Sequence, residues 1–141
     1  MAWGMPIQYP VARGTIVLCD YSTGFRPPEM VKRRPCVVIS ARLPYRDRLC
    51  TVVPLSATPP AREVAYQCRI ELAEALPPPF EQQLCWAKAD MLATVGFGRL
   101  DLFRSDRDRA SGRRRYLHPK LTEEDFKRVL ECVVHALGLA R

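Results

Sequence analysis

Polar side chains punctuate the ends of several apolar runs, and four of them invite chemistry. Arg34 stands just before Pro35, Ser56 closes Val53-Pro54-Leu55-Ser56, and Lys88 and Asp90 lie two residues apart. A guanidinium suits phosphate or carboxylate, a hydroxyl can donate or accept, and a cation beside a carboxylate can hold charge in place. Each is ordinary alone, and a structural ion pair or turn hydrogen bond is the default for any one of them. The familiar enzyme signatures are missing: there is no GxSxG, no P-loop and no HExxH. Of the two histidines, His135 falls about 180° around a helical wheel from Phe126 and beside Glu131, a surface position. His118 precedes Pro119 in a loop and is assigned no catalytic role. A two-histidine mechanism and a metal centre are therefore not expected, and no cofactor is called for.

Two stretches gather positive charge. The 13-residue connection from Ser22 to Arg34 carries Arg26, Lys32, Arg33 and Arg34, with Phe25 among them. Loops of that length inside a small domain are usually functional or disordered. Arg99 to Arg115 holds seven arginines against Asp101, Asp106 and Asp108, and Ser111-Gly112 centres a turn before Arg113, Arg114 and Arg115. With Phe103 and Tyr116 nearby it is either a solvated loop or a phosphate-contacting one.

The elements that must position these groups are mostly strands. Gly14–Asp20, Pro35–Ser40, Cys50–Ser56, Tyr66–Leu72 and Leu84–Asp90 are β-branched or alternating runs bounded by turn residues. Pro54 cannot donate to a ladder, so the third strand should be interrupted or at an edge there. If the fifth run is extended throughout, Lys88 and Asp90 share a face. Many short strands with turns between them predict a barrel or sandwich. The C-terminus changes period. Thr122 is a helix cap, Glu123, Glu124 and Asp125 fill the first turn, Phe126, Val129, Leu130, Val133 and Leu137 recur at helical spacing, and Gly138 is a stop.

The 141 residues suit one domain, divided here into an N-terminal arm, 1–13, and a body, 14–141. A net charge of +7 favours a polyanionic partner. Nothing approaches the roughly 20 apolar residues of a membrane span, and residues 1–13 lack a basic start followed by an apolar run, so a cytoplasmic protein without a secretion signal is expected. The six cysteines never come within five residues of one another, which removes zinc-knuckle spacing and leaves buried thiols in a reducing compartment.

The order of the segments resembles the MazF/PemK family of toxins. Gly14-Thr15-Ile16-Val17, Arg34-Pro35-Cys36-Val37-Val38-Ile39-Ser40, Val53-Pro54-Leu55-Ser56 and Lys88-Ala89-Asp90…Ala93-Thr94-Val95 are similar to that family's motifs, in sequence order, over about residues 13 to 138. The resemblance implies a mainly β, SH3-like small barrel with a C-terminal amphipathic helix, usually a homodimer. It implies the toxin of a type II toxin–antitoxin system, an endoribonuclease (mRNA interferase) that cleaves single-stranded RNA without a metal ion, restrained by an acidic antitoxin. Arg34 matches the arginine of the family's R-P motif, Ser56 its hydroxyl residue, and Lys88 and Asp90 its basic and acidic pair. In the implied mechanism the RNA 2′-hydroxyl attacks the adjacent phosphorus. Arg34 and Ser56 bind the phosphoryl oxygens, Asp90 acts as base or orients Arg34, and Lys88 adds charge. Phe25, Arg26, Lys32 and Arg33 on the first basic loop, with Arg113 and Arg114 on the second, would contact RNA. Phe25 could equally anchor its loop to the core. This chain departs from the family in having serine for a frequent threonine at 56, lysine for a frequent arginine at 88, Ala93 for an arginine, and a longer 104–115 insert. The alternatives are a non-catalytic RNA- or partner-binding module and a gyrase poison on the same barrel. The Leu137-Gly138-Leu139-Ala140-Arg141 ending, without a bulky aromatic, disfavours the gyrase poison.

Overall fold

The computed structural model describes Ile7 and residues 9–140; the rest of the expected arm, residues 1–6 and 8, and Arg141 lie outside the described residues. Among the described residues, nine strands precede one α-helix: β1 Ile16–Asp20, β2 Arg33–Val38, β3 Leu49–Ser56, β4 Gln67–Glu71, β5 Leu84–Lys88, β6 Ala93–Gly96, β7 Leu100–Asp101, β8 Phe103–Arg104, β9 Tyr116–Leu117 and α1 Glu123–Ala136. Seven strands share one antiparallel sheet in the order β4-β5-β3-β2-β1-β7, with β6 also on β3; β8 and β9 form a separate ribbon. The result is mainly β with one C-terminal helix, an SH3-like arrangement in which no ladder joins β7 back to β4 among the described residues.

Strand β3 is the frame's long member. It pairs with β2 on one side, while on the other it pairs first with β6, up to Val52, and then with β5, from Leu55. Pro54 sits at that handover. Val38 N–H donates to Thr15 O and Ile39 N–H to Thr51 O, each 3.0 Å. Alternate β2 residues therefore bond in opposite directions, so Val53 bonds toward β2 and Pro54 turns its nitrogen to the other side. The strand is thus continuous rather than interrupted, because its missing donor falls where neither neighbour asks for one.

Alternation splits the apolar residues into two clusters. Ile16, Val37, Val53, Leu55, Ile70, Cys85 and Ala87 pack with Phe103 and with Val129 and Cys132 of α1. Val17, Cys19, Cys36, Val38, Val52, Val95 and Leu100 pack on the other face with Tyr21 and Phe97, joined by Ile7, whose N–H reaches Leu100 O at 3.3 Å. Each fully buried aliphatic side chain contributes about 1.5–3 kcal/mol by leaving water. All six cysteines are free thiols, five buried and Cys68 half-buried. Burial pushes the Cys85 thiol up to about 11 and the Cys68 thiol to about 12.

Several boundaries differ from expectation. The first strand begins at Ile16 because Gly14 is in the left-handed region, at φ 85°. The fifth ends at Lys88, where a 3-10 turn, Ala89–Met91, takes over. Arg99–Arg115 is not all loop, since β7 and β8 lie at its start. The helix is as expected: Thr122 accepts from Asp125 N–H at 3.1 Å, and Gly138 takes φ 70° beyond its end. Its Leu137, expected on the apolar stripe, is 54% exposed.

Candidate functional site

The antiparallel registers draw a straight line of side chains across the sheet. Arg69 of β4 faces Trp86 of β5, and Trp86 faces Ser56 of β3. The β2–β3 register, in which Cys36 faces Pro54, brings Arg34 opposite Ser56 when continued by two residues. Directly opposed residues have Cβ atoms about 4.5–5.5 Å apart on one face. That face is the one turned away from α1. On β5, Cys85 and Ala87 enter the core beneath the helix, and Leu84, Trp86 and Lys88 alternate with them.

Arg34 is half-buried, and its Nε donates to Val31 O at 3.4 Å, which fixes the side-chain stem at the foot of the first basic loop. Ser56 is 7% exposed. Its Oγ accepts from Thr58 N–H at 3.1 Å, so the hydroxyl keeps a proton to donate. Arg34 also borders a cavity of about 190 Å³ that Pro35, Leu55, Ala57 and Phe80 line on the helix side of the sheet.

Lys88 follows Trp86 by two residues, about 7 Å along the strand. The 3-10 turn removes Asp90 from the strand, so the two do not share a face by alternation as expected. Gln67 joins them instead. Lys88 Nζ donates to Gln67 Oε1 at 3.4 Å, and Gln67 Nε2 donates to Asp90 Oδ1 at 3.1 Å. This relay lies on the wall of an open cavity of about 430 Å³ that Arg62 and Tyr66 also line. A polyanion could lie with one phosphate over Arg34 and Ser56 and charge beside Lys88. Sequence reasoning missed Gln67, Trp86 and Arg69. The strand alternation was visible, but the register that aligns them with Ser56 was not.

The loop residues divide. Arg26, Lys32 and Arg33 are exposed, with Lys32 at φ 71°. Phe25 is half-buried, meets Tyr21 edge-on at 5.1 Å between ring centroids, and lies 4.9 Å beneath the Arg99 guanidinium. Arg99 Nη1 donates to Asp20 O at 3.0 Å and Thr23 O at 2.7 Å. Phe25 thus takes the anchoring role. Asp20 accepts from Ser22 N–H at 2.8 Å and from the Ser22 hydroxyl. Burial alone would raise its pKa, but the Ser22 hydrogen bonds and the charges of Arg33 and Arg99 outweigh it and hold the carboxyl below its ordinary value.

Arg113 and Arg114 are exposed on the second basic segment, beyond the β8–β9 ribbon. There Ser105 N–H donates to Arg115 O and Gly112 N–H to Asp108 O. At its base Arg104 meets Asp101 at 3.4 Å and lies 5.4 Å from the Tyr116 ring centroid. Burial raises the Asp101 carboxyl above its ordinary value, against the lowering pull of Arg104. Among the described residues, no strand register joins Arg113 or Arg114 to the Ser56 row.

Known proteins share this frame. The chain is 32% identical over 138 residues to YifN, an uncharacterised protein of Escherichia coli K12, covering 94% of this chain and 87% of the relative. Among solved structures it is similar to a mycobacterial endoribonuclease in complex with its cognate antitoxin, at TM-score 0.60 and 17% identity over 94% of this chain and 99% of that one. It is also similar to the Mycobacterium tuberculosis toxin MazF-mt6, at TM-score 0.56 and 17% identity over 90% and 99% of the two chains. The profile of the PemK-like, MazF-like toxin of type II toxin–antitoxin systems matches residues 12–137. With nearly the whole chain matched, this protein belongs to the PemK/MazF toxin family.

Proposed function

We propose that this toxin is an endoribonuclease that cuts single-stranded RNA at short sequences without a metal ion. The observation that carries the reading is the β2–β3 register, which, continued two residues past Cys36–Pro54, sets Arg34 beside Ser56. It puts a half-buried cation and a buried hydroxyl donor together at a strand end, with the Lys88–Gln67–Asp90 relay bridging β4 and β5. Membership of the family and similarity to a mycobacterial endoribonuclease support it.

RNA supplies its own nucleophile. The 2′-oxygen loses its proton to Asp90 and bonds to the adjacent phosphorus. The bond from phosphorus to the 5′-oxygen breaks, and that oxygen takes a proton from water as it leaves. The products are a 2′,3′-cyclic phosphate and a 5′-hydroxyl. Arg34 and the Ser56 hydroxyl stabilise the charge that builds on the phosphoryl oxygens, and Lys88 adds to the field. Gln67 orients Asp90 toward the substrate. Since the attacking and leaving groups both belong to the RNA and two protein cations meet the charge, no step calls for a metal ion. The arm at 1–13 precedes one catalytic domain, 14–141, which works in the cytoplasm as a homodimer. Arg26, Lys32 and Arg33 line the approach of the strand, with Arg113 and Arg114 adding charge. An acidic antitoxin, drawn by the +7 charge, covers this face.

The test is digestion of a long single-stranded RNA in excess EDTA, beside Arg34→Ala, with the fragment ends mapped. Discrete cuts bearing 5′-hydroxyl ends, lost in the variant, are expected. Intact RNA from folded, antitoxin-free protein would overturn the reading in favour of a binding module or a gyrase poison.

A further inference from the structure

Trp86 has no role in the chemistry above, yet it occupies the centre of the row. It faces Ser56 on one side and Arg69 on the other. It is half-buried on the face opposite the helix-covered core, flanked along β5 by the half-buried Leu84 and Lys88. Arg69 is exposed. Trp86 stands in neither of the two apolar clusters, whereas its β5 neighbours Cys85 and Ala87 pack in the helix-side one. It is the direct cross-strand partner of Ser56, which puts their Cβ atoms about 5 Å apart. A nucleotide whose phosphate meets the Ser56 hydroxyl therefore has the indole within reach of its base.

Resting on the endoribonuclease reading, we infer that Trp86 is the stacking platform for an unpaired base flanking the cut, with Arg69 holding the next phosphate along the strand. Aromatic stacking tolerates any base but favours large ones, and arginine supplies both charge and a planar face. Trp86 thereby contributes to the choice of cleavage sequence. The platform is rigid because β5 is paired on both sides, by β3 and by β4.

The test uses Trp86→Ala, Trp86→Leu and Trp86→Phe in full-length protein. Leucine keeps apolar cover over Ser56 without a π face, and phenylalanine keeps a face. Each variant is first matched to wild type by thermal melting. Expected is a rise in KM of roughly tenfold for Ala and Leu, with kcat within about threefold, and recovery with Phe. Mapped cuts should lose preference at one position beside the scissile bond. In a Trp3→Phe background Trp86 is the remaining tryptophan of two. Its fluorescence should be quenched by a short RNA bearing the cut sequence with a 2′-deoxynucleotide at the cleavage point. Trp86→Leu cutting the same sites with unchanged KM, or the absence of quenching on binding, would overturn the platform while leaving the endoribonuclease intact. Wild-type protein that neither binds nor cuts RNA would overturn both.

Discussion

The two basic segments look alike as sequence and differ as structure. The Ser22–Arg34 connection is tied down at several points. Phe25 is wedged between Tyr21 and Arg99, Arg99 is bonded to two carbonyls, and Asp20 is bonded by Ser22. It therefore delivers Arg34 to one place. The 104–115 segment bonds chiefly to itself, through Ser105, Asp108 and Arg115. A held loop can position a single charge against a single bond. A self-contained hairpin can only raise the local density of positive charge. On the proposed reading, the first arrangement serves chemistry and sequence choice, and the second serves affinity.

The contrast can be broken most sharply at Arg34. Arg34→Ala should lower kcat by about 10²–10³ while melting as wild type does; a loss confined to KM would move Arg34 from the reacting phosphate to mere binding. Next comes the anchor. Phe25→Ala should cost about 2 kcal/mol of stability by denaturant titration, less than a fully buried phenylalanine. It should also broaden the set of mapped cut sites, because Arg34 loses its fixed approach. On the hairpin, Arg113→Ala with Arg114→Ala should leave stability within about 0.5 kcal/mol. KM should rise severalfold, and the logarithmic salt dependence of binding should flatten by roughly 1.4. A change of cut sequence there would erase the distinction between the segments.

The smallest effect is in pH. Asp20 at the foot of the first loop is held below its ordinary value, so its stabilisation is present above the unfolded carboxylate range and is lost as pH falls through the folded value. Asp101 at the foot of the second is raised by burial, so its contribution is present at low pH and lost as pH rises through the folded value. Melting curves from pH 3 to 7 should show the gap between wild type and Asp20→Asn closing on acidification. The gap between wild type and Asp101→Asn should shift in wild type's favour.

Much of this was legible in the residues. The capped helix, the strand runs and the polar residues at strand ends came from period and turn chemistry, because those signals are local. Asp90 was misplaced because a 3-10 turn of three residues leaves no mark that alternation can read. β7 and β8 were hidden by brevity and by arginines whose side chains lie outside the core. Gln67 and Trp86 were unreadable for another reason: their meaning depends on which strand lies beside which, and register belongs to the sheet.

Pro54 carries a last consequence. Its nitrogen faces the gap between β6 and β5, where it offers no hydrogen to an incoming backbone. A partner's extended segment could not complete a ladder at that spot and so could not pry the two neighbours apart. Any inhibitor that extends this sheet by adding a strand must therefore do so at the outer edges of β4, β6 or β7. Its grip on the Ser56 row would then come from side chains laid across the face, which a competing RNA can displace from one end.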